Sequence, residues 1–96
     1  MPSNVEMARL SMIFKACSAS KNCLVPWLEM PEFKRALIDA LNAHVYLNDQ
    51  SILSIMERLW PDMDSGKIAC PSFRNCKRAM NQLRRAVEEQ SKLPVT

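Results

Sequence analysis

Glycine is nearly absent: Gly66 is the only one in 96 residues. A glycine-rich phosphate loop is therefore excluded, because such loops need several residues without a Cβ. Histidine is equally scarce, with His44 alone. No acid, base and nucleophile can be grouped around it, so no enzyme is expected. Aromatic residues make up 6% of the chain, and valine, threonine and tyrosine are few, which disfavours strands. No stretch approaches the roughly 18 apolar residues of a membrane span. The opening MPSNVEMARL has no apolar run and is interrupted by Glu6 and Arg9, so it is not expected to act as a signal peptide. Together these absences predict an intracellular, cytoplasmic setting that is reducing and keeps thiols free.

What is present is ordinary for a folded chain: 48% apolar and 24% charged residues. The length predicts one helical domain over 1–93 and a short tail over 94–96, with a modest core. A net charge of +3 does not by itself point to nucleic acid, and no DNA or membrane partner is expected. The cysteines fall as Cys17-x5-Cys23 and Cys70-x5-Cys76. That spacing is wider than the two to four residues of common zinc sites. Buried thiols are the plain reading, and no cofactor or metal is expected.

Periodicity predicts an all-α chain. SNVE at 3–6 forms a capping box, followed by Leu10, Ile13, Phe14 and Cys17 at helical spacing. SASKNC then breaks the pattern. A second helix opens near Pro31, carries Met30, Phe33, Leu37, Ala40 and Leu41 on one side, and fades near His44. Asn48 caps a third helix with Ile52, Ile55, Met56 and Leu59, and Pro61 is expected to stop it. Pro71 opens a fourth, with Phe73, Cys76, Met80, Leu83 and Val87, which Pro94 ends. The plan is helix, break, helix, linker, helix, break, helix.

The second break, WPDMDSGKIACPSF, carries the sharpest local pattern. With Gly66 at the sixth place and Ile68 at the eighth, it resembles the loop of an EF-hand, and Phe73 follows the twelfth place as an apolar residue. In that frame Pro61, Met63 and Ser65 occupy the first, third and fifth places and Ser72 the twelfth, while Asp62 and Asp64 fall one step out of register. The first break fits the same frame with Ser18 first, Ser20 third, Asn22 fifth, Cys23 sixth, Val25 eighth and Glu29 twelfth. Glu32 and Phe33 offer a rival end to it. The resemblance implies four helices as two helix-loop-helix units, with a short backbone bridge between Val25 and Ile68. Calcium affinity follows the number of charged ligands. The two loops supply one carboxylate in register, so they are expected to have kept their shape and lost the ion.

Seven methionines suit either an adaptable core or a binding surface. The expected function is a calcium-independent adaptor or light-chain-like module, docking an apolar or amphipathic helix of a larger protein. Its groove is expected to involve Phe33, Leu37, Met56 and Met80. Arg74, Lys77, Arg78, Arg84 and Arg85 form a basic face on the last helix, and LRRAVEEQSKL allows that helix to continue as a coiled coil. Two alternatives stay open. One is a non-standard calcium or zinc sensor; the other is a basic helical module that contacts acidic lipid or nucleic acid.

Overall fold

The computed structural model describes residues 8–9, 11–13, 15 and 21–92. Within them the chain is all-helical, with no strand. Four helices are bounded: α1 (Lys21–Trp27), α2 (Pro31–Asn42), α3 (Asp49–Asp64) and α4 (Phe73–Lys92). Residues 8–9, 11–13 and 15 are also helical. The first capping box and Pro94 lie outside the described residues. α1 and α3 both pack on α4, and α2 packs on α3.

α1 replaces the expected loop. Cys23, Leu24 and Trp27 are at helical spacing and all buried, so winding the segment puts three apolar side chains on one side. Pro26 sits inside this helix, one residue before its end; it lacks only the N–H that would bond back to the Asn22 carbonyl, and its own carbonyl still accepts the Glu29 N–H at 3.4 Å. The Trp27 indole N–H donates to the Cys76 carbonyl on α4 at 2.8 Å, in a buried site. Its ring also meets Phe33 of α2, with centroids 5.2 Å apart and planes tilted by 59°. One side chain thus ties α1 to both α2 and α4.

α2 begins with Pro31 at its first turn, where the missing N–H is no loss. It buries Phe33 and Leu37. Its end is a Schellman-type stop: the Val45 N–H donates to the Ala40 carbonyl at 2.9 Å and the His44 N–H to the Leu41 carbonyl at 3.0 Å. His44 occupies the left-handed position, with φ 60°. Glycine adopts that conformation without the penalty a Cβ brings, about 1–2 kcal/mol. His44→Gly is therefore expected to stabilise the domain by about 1 kcal/mol, or roughly 4–8 °C in a thermal melt. An unchanged or lower melting temperature would contradict this reading of the turn.

α3 is capped as expected. The Asn48 side chain accepts from the Ser51 N–H at 2.9 Å, and the Ser51 hydroxyl accepts from the Asn48 N–H at 2.8 Å. Asp49 in its first turn is buried, and one of its oxygens accepts from Gln90 of α4 at 3.3 Å. Pro61 does not stop this helix, contrary to expectation; α3 runs on to Asp64. A proline lacks a donor but keeps its acceptor, and the Pro61 carbonyl takes the Ser65 N–H at 3.0 Å. Met63, buried in that last turn, holds it on the core. Gly66, at φ 85°, makes the actual stop. A Cβ there would meet no heavy atom within 4 Å, so glycine is needed for its backbone conformation and not for space.

α4 starts at Phe73 and not at Pro71. It buries Cys76, Ala79, Met80 and Leu83. The Phe73 ring stacks on Trp60 with centroids 5.1 Å apart, closing the α3–α4 turn from outside. No helix among the described residues is long and apolar enough to cross a membrane.

Candidate functional site

The expected loop ligands fall on different structures. Ser18 and Ser20 lie outside the described residues. Asn22 and Val25 are exposed on α1. Val25 sits inside a helix, and no backbone hydrogen bond joins it to Ile68, so the expected bridge does not form. The Ile68 N–H donates instead to the Asp62 carbonyl at 3.0 Å. Asp62 and Asp64 belong to the last turn of α3. Two residues apart on a helix, their side chains do not face each other. The Glu29 carboxylate accepts from the Ser72 hydroxyl at 3.2 Å, so the two twelfth places of the sequence frames do meet. Among the described residues no three of His, Cys, Asp or Glu gather closely enough to hold an ion.

Cys23 and Cys76 are buried and Cys70 is half-buried. Cys23, Cys70 and Cys76 are free, and Cys17 lies outside the described residues. Burial pushes the Cys23 thiol up, with the Asp49 carboxylate adding to it. Burial does most to push the Cys76 thiol up to about 12; its hydrogen bond with Cys70 and the charge of Glu29 add to the shift. The ordinary value is 9.0, and a raised folded value stabilises the fold below the unfolded one and is lost as pH climbs through the folded one. Between about pH 9 and 12 the domain is therefore expected to lose stability as unfolding releases this proton. Cys76→Ala should flatten that decline in thermal melts taken across the window, and an equally steep decline would refute the assignment.

Phe33, Leu37, Met56 and Met80 do not line a groove. Their exposures are 0, 0, 0 and 3%, so they form the interior between α2, α3 and α4. Helical spacing marks the buried face of a helix, and a face buried by its own domain has the same spacing as one offered to a partner. The open cleft lies one step outward, between α2 and α3. It encloses about 750 Å³. Ala36, Ala40, Ala43, Val45 and Ile55 supply its apolar walls, with Asp39 on the α2 side and Arg58 on the α3 side. Val45 is 45% exposed and Tyr46 79% exposed next to it. The signal was present in PEFKRALIDALNA, where Ala36, Ala40 and Ala43 recur at i, i+4 and i+7. Small side chains on one stripe leave space that larger ones would fill.

The basic face divides in two. Arg84 is engaged, with its guanidinium 3.3 Å from the Glu57 carboxylate and 3.2 Å from the Asn81 side-chain oxygen. Arg74, Lys77, Arg78 and Arg85 are exposed and surround a shallow hollow with Asn81 and Gln82. No family model, curated protein or solved structure matches the chain.

Proposed function

We propose that the domain is a calcium-independent protein-interaction module, adaptor or light-chain-like, that receives an amphipathic helix of a partner in the α2–α3 cleft. The observation that carries this reading is the cleft itself: an open, mostly apolar trough of about 750 Å³ between two packed helices. Asp39 and Arg58 on opposite rims would orient a helix whose flanking charges are reversed. Exposed Tyr46, next in sequence to the lining residue Val45, is a residue type that favours interfaces.

A degenerate EF-hand pair is the architecture we propose beneath this function. The support for it is the residue pattern of the two segments, which the Glu29–Ser72 hydrogen bond brings together; the first segment has wound into α1 and the Val25–Ile68 bridge is lost, so the pair has departed from the loop geometry of the family. Calcium independence rests on Pro61 and Met63 standing where the frame needs oxygen ligands, and on Asp62 and Asp64 being helical.

The test is partner capture by the full chain, with calcium or with chelator, followed by titration of the captured partner's helix. Ser54 is exposed at the cleft, so Ser54→Arg should block the trough without disturbing the core. The expected result is a partner recovered equally in both conditions and reduced about tenfold or more by Ser54→Arg, about 1.4 kcal/mol of binding energy. Recovery that requires calcium, or that ignores Ser54→Arg and Tyr46→Ala alike, would overturn the proposal.

A further inference from the structure

The exposed face of α4 carries a charge pattern that the cleft does not use. Arg74, Lys77, Arg78 and Arg85 stand at i, i+3, i+4 and i+11, which is one side of a helix. Among the described residues none of the four has a carboxylate within ion-pair distance. Arg84, by contrast, is occupied by Glu57. Asn81 and Gln82 complete the lining of the hollow. Asn81 turns its oxygen to Arg84, so its NH2 donors are what remain for a ligand. A surface of donors and unpaired cations fits a ligand rich in anionic acceptor oxygens.

We propose that this face docks a short carboxylate-rich helix of a partner protein. The limits of the face decide the class of partner. From Arg74 to Arg85 is about 16 Å along the axis, or three turns. Glu88 and Glu89 then continue on the same face, reversing its sign within one turn. A nucleic acid or an anionic bilayer extends past that point and would carry its phosphates over both glutamates. A helix with acidic residues opposite the cations and a basic residue opposite Glu88 and Glu89 matches the pattern from Arg74 to Glu89; Lys92 in the last turn returns the face to positive. Bilayer docking also lacks an apolar wedge here. Phe73 is the exposed large apolar residue of α4, and its ring is stacked on Trp60.

The proposal stands whether or not the cleft binds, and its test uses different probes. Three are compared by fluorescence anisotropy on the full chain. The first is a labelled helical peptide with glutamates at i, i+4 and i+11 and a lysine beyond them. The others are a duplex oligonucleotide and vesicles containing phosphatidylserine. The expected result is that the peptide binds and weakens with added salt, while Arg78→Glu with Arg85→Glu weakens it about tenfold or more. Ser54→Arg should leave that binding unchanged. The milder pair Arg74→Gln with Lys77→Gln should lower affinity in the same direction, with helicity checked by circular dichroism for both variants. Equal binding of a peptide with the same composition in scrambled order, or no loss in either double variant, would overturn the proposal. Tighter binding of the oligonucleotide or the vesicles would also overturn it, in favour of that class. Failure of all three probes to bind would overturn it outright.

Discussion

Trp27→Ala is expected to cost about 3–5 kcal/mol, the range for emptying a large aromatic site in a packed core. Small domains have only about 5–15 kcal/mol in total, so the variant should sit near the edge of folding. Its melting temperature should fall by roughly 15 °C or more. The reason lies in three contacts made by one side chain. Trp27 is fully buried, its N–H is bonded to the Cys76 carbonyl, and its ring leans on Phe33. Losing it would leave a seven-residue helix with Pro26 inside it, too short to persist without packing. Trp27→Phe separates the contributions. It keeps much of the volume and loses the hydrogen bond, so it should cost less than the alanine variant by several-fold in equilibrium constant. Thermal and denaturant melts of both variants are the measurement. Equal and small losses in both would mean that α1 is not anchored through this residue.

The sequence showed the helices where local and tertiary preferences agree. Asn48 caps α3 because its side chain reaches the Ser51 N–H, and that chemistry is legible three residues ahead. Pro31 opens α2 and His44 lies at its stop for equally local reasons. The failures share a cause. SASKNC reads locally as a break, yet α1 forms, with Pro26 inside it, because Cys23, Leu24 and Trp27 find a surface on α4. Pro61 reads as a terminator, yet α3 passes it because Met63 is buried beyond it. Tertiary burial outweighs the local penalty in both places. The basic face was legible as a run of charge, but its division was not. Glu57 on α3 claims Arg84 and leaves the other cations open, and no spacing along α4 announces a partner from another helix.

The cleft illustrates the same limit from the other side. A binding surface is defined by what the fold leaves uncovered, and periodicity reports only what is apolar. Ala36, Ala40 and Ala43 are weak markers of a core because they are small, and that smallness opens the trough. The larger residues on the same helix, Phe33 and Leu37, are drawn inside. Strongly apolar positions therefore pointed one layer too deep.

Met56→Ala and Met80→Ala decide between those two layers. Both side chains are buried, at 0 and 3% exposure, on helices that pack together. Each alanine variant is expected to cost about 2–5 kcal/mol, from lost burial and from the cavity left behind. Met56→Leu and Met80→Leu nearly conserve volume and should cost less than about 1.5 kcal/mol. A partner-facing methionine would give the opposite pattern: little change in melting and a clear loss of affinity. Partner recovery should therefore survive in the leucine variants, whereas Ser54→Arg, at the exposed cleft, should reduce recovery with little change in melting. If the alanine variants melt like the wild type but lose the partner, the methionines reach the surface when the partner binds. The domain would then open along α3 and α4 to receive it, and the α2–α3 cleft would not be the docking site.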